Sequence, residues 1–157
     1  MALRVIGVDH STKKDLVLES GAEHFIPLDG TDDLATAVKE VTDGLGAHAV
    51  IVLTSSNKAY DSSASLLRMG GTVVCIGVPE GTPVPLGVTA SELIGRAIKV
   101  VGVAVGTRSD AIETLAFAAR GVVKTHYRVE PLDKLTDVFK EMDELKMKGR
   151  VVIDLSA

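Results

Sequence analysis

The sequence predicts an α/β domain built on a doubly wound parallel sheet. Short β-branched runs alternate with longer helix-compatible segments. The runs are continuously apolar instead of alternating, as parallel strands covered on both faces read. At 157 residues the chain suffices for one domain burying about 70% of the surface it exposes unfolded.

Residues 3–8 form the first expected strand, closed by Asp9. Thr12-Lys13-Lys14-Asp15 fits a capping box, and Gly21 stands where the helix it opens would stop. Residues 24–28 are a second, shorter strand. Residues 32–43 carry Leu34, Ala37, Val38 and Val41 at helical spacing. Residues 48–53 are the third strand, and residues 58–69 a helix stopped by Gly70-Gly71. Residues 72–76 are the fourth strand, followed by the turn-forming Gly77-Val78-Pro79-Glu80-Gly81. Residues 99–103 are the fifth strand, and residues 109–120 a helix ending at Gly121. The remainder holds a strand near 127–130, a helix over 132–147 and the run Val151-Val152-Ile153. No internal repeat, low-complexity stretch or linker interrupts this order.

Composition narrows the function classes. Hydrophobic residues make up 46% and charged residues 24%, which are globular values. Lysine plus arginine number 17 against 21 acids, and the net charge of −4 argues against nucleic-acid or membrane partners, which need a basic face. No apolar run reaches the ~18 residues of a membrane span. Met1-Ala2-Leu3-Arg4-Val5-Ile6 lacks the apolar core and cleavage site of a signal peptide. A single cysteine, Cys75, excludes an intrachain disulfide and a cysteine-rich metal cluster, and points to a reducing, cytoplasmic compartment. Aromatics are 3% of the chain with no tryptophan, so the core is aliphatic and surfaces for stacking bases are nearly absent.

Among residues that could carry chemistry, Val5-Ile6-Gly7-Val8-Asp9 is the most informative. In dinucleotide-binding folds an acid ending such a strand accepts hydrogen bonds from the adenosine ribose hydroxyls. It also repels a 2′-phosphate and so favours NAD over NADP. An aspartate approaching a helix needs no ligand, and on this residue alone both readings stay open. The glycine-rich turn that normally lies about 20 residues upstream cannot lie within a chain that has eight residues before Asp9. Gly44-Leu45-Gly46-Ala47-His48-Ala49 matches G-x-G-x-x-A but precedes a strand, so it reads as a helix-stopping turn. His10, His24, His48 and His126 show no metal spacing and read as surface or loop residues. Cys75, within an apolar strand, reads as a small buried hydrophobe. Tyr60-Asp61-Ser62-Ser63 reads as the solvated face of a helix whose apolar stripe is Ala59, Ala64 and Leu67. No G-x-S-x-G elbow for serine hydrolysis is present.

Several segments together resemble the zinc-type (medium-chain) alcohol dehydrogenases, the tetrameric fungal enzymes in particular. Arg4-Val5-Ile6-Gly7-Val8-Asp9 with Lys14 is similar to their second strand and ribose site. Ser20-Gly21-Ala22-Glu23-His24-Phe25-Ile26 and Thr42-Asp43-Gly44-Leu45-Gly46-Ala47-His48 resemble the next joins. Gly71-Thr72-Val73-Val74-Cys75-Ile76-Gly77-Val78-Pro79-Glu80-Gly81 resembles their fourth-strand segment, which meets the nicotinamide. Val101-Gly102-Val103-Ala104-Val105-Gly106-Thr107-Arg108-Ser109-Asp110 resembles the fifth-strand segment. Ala119-Arg120-Gly121 and Gly149-Arg150-Val151-Val152 complete the tail. The likeness runs in order through essentially all 157 residues.

The resemblance implies a Rossmann-like fold lacking the usual first strand, glycine-rich turn and first helix. Residues 1–157 would be a single truncated dinucleotide-binding domain, with 125–157 the tail that returns to a catalytic domain. It implies Asp9 and Lys14 for ribose recognition, Ile76, Gly77 and Val78 for the nicotinamide carboxamide region, Val103 near the ring, and Arg150 for phosphate. The family's zinc ligands and proton relay have no counterpart here. No catalytic residue or zinc is therefore expected, and NAD binding should be weak or vestigial, with alcohol oxidation beyond the chain alone. The alternatives are a remnant recruited as a binding or assembly module, and a small metal-free enzyme taking a small-molecule ligand in the vacated cleft. In the strand order 3-2-1-4-5-6 the missing strand is central, so its neighbours must close the gap or something must fill it. Members of the family dimerise by continuing the sheet across a two-fold axis. Residues 82–89 and 99–103 correspond to that contact, the first strand and the 151–153 run are further open edges, and a homodimer through sheet edges is expected. Pro83 and Pro85 would keep any ladder in the first segment short.

Overall fold

The computed structural model describes residues 3–82, 84–144 and 146–156. Expectations falling on Met1 and Ala2 (the leader), Pro83 (the ladder limit), Leu145 (the tail helix) and Ala157 (the end of the tail) lie outside the described residues. The chain divides into two compact units, Met1–Gly106 and Thr107–Ala157.

In the first unit the order is β1 (Ile6–Asp9), α1 (Lys14–Glu19), β2 (His24–Pro27), α2 (Leu34–Glu40), β3 (Ala47–Val52), α3 (Asn57–Ser63), β4 (Leu67–Cys75), α4 (Ala90–Arg96) and β5 (Lys99–Gly102). Every ladder is parallel, as expected. β1 pairs with β2 from Ile6↔His24 to Asp9↔Pro27, while β3, β4 and β5 form a separate three-stranded sheet. Among the described residues no ladder joins β1 to β3, so β3 does not close up on the strand that the resemblance leaves without a neighbour. What unites the two sheets is apolar packing. Ile26, Val38 and Leu66 are buried together with Ile6, Ala47 and Val50 against them, so α2 lies over strands of both sheets. A second cluster, Val52, Tyr60, Leu67, Val73 and Ile98, fills the space between the three-stranded sheet and α3.

β3 is not covered on both faces. At its end Val52 is buried and Ile51 59% exposed, and Leu53, just beyond the strand, is 72% exposed. β5 is exposed along its whole length. The expectation of strands covered on both faces is corrected for these two. An apolar composition permits a second covering layer but does not supply one.

Three local expectations are also corrected. Thr12 does not open a capping box, because Ser11–Lys13 forms a 3-10 turn and α1 starts after it, with Lys13 at the cap and no side-chain bond. Thr12 instead pairs its hydroxyl with His10 Nδ1 at 3.2 Å. The helix expected over 58–69 ends earlier. α3 passes into a 3-10 turn, Ala64–Leu66, and Leu67 already belongs to β4. The tertiary reason is that neighbours Leu66 and Leu67 fill different clusters. The third correction adds an element, α4, which lies outside the expected helices. Its signal in the sequence is Thr89-Ala90-Ser91-Glu92. In the structure Thr89 Oγ1 accepts from the Glu92 amide at 3.2 Å, while Glu92 Oε2 accepts from the Thr89 amide at 2.8 Å.

The second unit holds α5 (Arg108–Ala119), β6 (Tyr127–Pro131), α6 (Leu135–Asp143) and β7 (Arg150–Asp154), with β6 and β7 parallel from Tyr127↔Arg150 to Pro131↔Asp154. A Thr107–Asp110 box caps α5, and Gly121 at φ +70° follows its end. α6 is shorter than the expected 132–147 because its first turn is 3-10 and it stops at Asp143. Arg128 ties β6 to α6 through Glu130 and Glu141. Among the described residues no helix is long and apolar enough to cross a membrane.

The caps carry a pH dependence. The Thr36 hydroxyl and amide hold the Asp33 carboxyl below the usual carboxylate range, and the amides and hydroxyls of Thr89 and Thr107 do the same for Glu92 and Asp110. A carboxyl whose pKa is lowered by folding contributes its full stability above the unfolded value, about 4, and loses it as pH falls through the lowered value. Urea midpoints measured from neutral pH downward should hold steady and then fall below about pH 4. Combining Asp33→Asn, Glu92→Gln and Asp110→Asn should flatten that fall.

Candidate functional site

A cleft of about 460 Å³ opens where β4 and β5 end, lined by residues of both strands, of α3 and of the segment after β4. Carboxyl ends of parallel strands are where open α/β sheets place ligands. The chain leaves the sheet there because the amides of Ile76 and Gly77 both donate to the Val52 carbonyl, at 3.1 and 2.9 Å. Gly77 is required at this turn, since any Cβ would overlap the Thr54 carbonyl. The Glu80 amide donates to the Ser55 carbonyl at 3.0 Å. Across the cleft floor the Val103 amide donates to the Cys75 carbonyl at 3.0 Å.

Of the residues expected at a cofactor site, Ile76, Gly77, Val78 and Val103 all line this cleft. Val78 is 81% exposed and free to meet a ligand. Asp9 and Lys14 do not line it. Asp9 ends β1 with Oδ1 accepting the His10 amide at 2.7 Å, and Lys14 opens α1 with its side chain in solvent. Arg150 begins β7 in the second unit, exposed, with its amide donating to the His126 carbonyl at 2.8 Å.

Several site residues escape the sequence reading. Asn57 and Tyr60 line the cleft from α3. Tyr60 is 6% exposed and Ser63 1%, which corrects the reading of Tyr60-Asp61-Ser62-Ser63 as a solvated face. Tyr60 packs into the apolar cluster while its hydroxyl donates to the Gly77 carbonyl, and Ser63 Oγ donates to the Tyr60 carbonyl at 2.8 Å. Burial pushes the Tyr60 hydroxyl up, so it stays protonated and keeps its donor. Cys75 packs against the apolar cluster, as a small hydrophobe would, but is only half-buried and lines the cleft. Beside Asp9, the Ser11 amide and hydroxyl donate to Asp29, which sits 18 positions away in sequence and so gives no local signal. The Ser11 hydroxyl holds the Asp29 carboxyl below the usual range, just beyond the end of β2. Gly44 and Gly46, at φ +78° and +93°, form the turn between α2 and β3, as expected, and do not line the cleft. Among the described residues no group of three or more His, Cys, Asp or Glu is placed to hold a metal ion.

A parallel α/β unit with its cleft at the strand ends defines the class, a doubly wound, Rossmann-like domain. The family model for zinc-binding dehydrogenases matches residues 1–120, and the chain belongs to that family. It is 51% identical to alcohol dehydrogenase 2 of Emericella nidulans over 99% of this chain and 45% of that protein. It is 41% identical to the alcohol dehydrogenase of Schizosaccharomyces pombe over 99% of this chain and 44% of that protein. The fold is that of the alcohol dehydrogenase of Aeropyrum pernix, with a TM-score of 0.84 at 24% identity over 96% of this chain and 42% of that one. A solved NAD-dependent alcohol dehydrogenase gives the same TM-score of 0.84 at 22% identity over 97% of this chain and 44% of that one. The chain thus spans less than half the length of the relatives it matches.

Proposed function

We propose that these residues form the NAD-binding portion of an alcohol dehydrogenase-type oxidoreductase, and that alone they bind NAD weakly without oxidising alcohols. The observation that carries this reading is the cleft gathering Ile76, Gly77, Val78 and Val103 at the strand ends. Bound NAD would supply a hydride acceptor. The apolar lining would exclude water from its nicotinamide end, while Asp9 and Lys14 would hold the ribose. Arg150 enters as a phosphate contact on the family resemblance alone. Residues 1–157 taken by themselves would bind weakly, because no glycine-rich strand-to-helix turn among them presents amides to the pyrophosphate. A reducing, cytoplasmic setting suits the half-buried Cys75 thiol in the cleft.

Calorimetric titration tests the reading. NAD should bind at least about tenfold more tightly than NADP, since a 2′-phosphate would meet the Asp9 carboxylate with Asp29 nearby. Asp9→Asn should narrow that gap, and micromolar NADP binding would defeat the assignment. The purified chain should show neither alcohol-dependent NAD reduction nor stoichiometric zinc by elemental analysis. Zinc-stimulated turnover would overturn this half of the proposal.

A second reading, assembly through sheet edges, is favoured by a separate observation. Among the described residues β1 and β3 each have a ladder on one side only, β5 is an exposed edge, and Ile51, Leu53 and Val101 are open to solvent. Such edges are templates for pairing, and two-fold closure is the commonest way to cover them. Sedimentation equilibrium at micromolar concentration should find a homodimer. A single species near 16.5 kDa would sink the idea.

A further inference from the structure

We infer that Asn57 and Tyr60, at the start of α3, are positioning residues that hold residues 77–82 in the shape the nicotinamide end of a dinucleotide meets. This rests on the proposed reading of the cleft. The segment after β4 contains Gly77 and Gly81, and Val78, Pro79 and Glu80 are all exposed. A stretch of that composition has many conformations open to it, and ordering it on binding would cost affinity.

Side chains of α3 remove that freedom beforehand. Both bonds of the Asn57 amide go to this segment, Nδ2 donating to the Glu80 carbonyl at 2.9 Å and to the Thr82 carbonyl at 3.3 Å. A primary amide has two N–H donors, so both donors of Nδ2 are used on this segment. Tyr60 donates its hydroxyl to the Gly77 carbonyl from a ring locked in the core. The Glu80 amide, bonded to the Ser55 carbonyl at 3.0 Å, adds a backbone tie from the other direction. Three peptide groups of one segment are therefore fixed by two side chains one helical turn apart. Neither residue needs to touch the ligand to influence it, because both act through peptide groups of the cleft wall.

The test compares NAD with ADP-ribose, which lacks the nicotinamide, for the whole chain and for Tyr60→Phe and Asn57→Asp. Tyr60→Phe keeps the packed ring and loses the donor. Asn57→Asp keeps the shape and turns an acceptor toward two carbonyls. Asn57 is half-exposed, so this variant keeps the proposal testable should the tyrosine change unsettle the fold. Each substitution should weaken NAD about tenfold, the value of roughly one hydrogen bond, and leave ADP-ribose unchanged. A merely structural defect would weaken both ligands alike. Without any ligand, amide exchange at Gly77 and Glu80 should speed up in both variants. Unaltered exchange, or an unaltered ratio of the two affinities, overturns the positioning role. A wild-type chain that does not distinguish NAD from ADP-ribose overturns instead the nicotinamide reading on which it rests.

Discussion

Leu67→Ala should destabilise the first unit by about 2–5 kcal/mol, the range for emptying a buried leucine site. Leu67 is 2% exposed and shares a cluster with Val52 of β3, Tyr60 of α3, Val73 of its own strand and Ile98 of the loop before β5. It also stands where the 3-10 turn after α3 becomes β4, so its neighbours cannot collapse into the void without moving that junction. Small domains hold only about 5–15 kcal/mol in total. Urea denaturation should therefore show an early loss of the first unit. Leu53→Ala, at a site 72% exposed, is the matched control and should shift the midpoint little. Equal losses in the two variants would mean that the Leu67 cluster is not the core of this unit.

Gly77→Ala should be the most damaging single methyl in the cleft. Its Cβ would overlap the backbone of Leu53 and Thr54, which cannot swing away as a long side chain would. The turn after β4 must then shift, costing about 1–3 kcal/mol as overpacking does, and pulling Val78 and the Gly77 carbonyl from their places. Gly102→Ala offers the contrast. Gly102 lines the same cleft, yet a Cβ there meets nothing within 4 Å. Calorimetry should find NAD binding lost in Gly77→Ala and kept within about threefold in Gly102→Ala, a difference under 1 kcal/mol. Similar behaviour of the two variants would show that the turn is soft and the wall not preformed.

Much of the fold is legible in the order of the residues alone. Apolar runs spaced by helical segments specify parallel strands, and each of β1 to β7 lies within or beside a run read from the sequence. Gly21, Gly46 and Gly121 mark turns because a left-handed backbone conformation excludes most side chains, a local rule visible in a local string. The run Ile76-Gly77-Val78 and Val103 could be brought to one cleft on strand order alone, since parallel neighbours end together.

What only the tertiary structure decided involves partners distant in sequence or competing layers of packing. Tyr60 and Ser63 look polar enough for solvent, but both are buried, Tyr60 in the cluster of Val73 and Ile98, and periodicity does not say which stripe of a short helix meets the sheet. Residues 58–69 read as one helix, yet Leu66 and Leu67 are drawn to different clusters, and α3 gives way to a 3-10 turn that becomes β4 between them. Asn57 reaches Glu80 and Thr82 across 23 and 25 positions, and Asp29 reaches Ser11 across 18, contacts that leave no local trace. The separation of β1–β2 from β3–β4–β5 is of the same kind. A strand's own residues establish that it will seek a neighbour, whereas the rest of the fold determines which neighbour is there to be found.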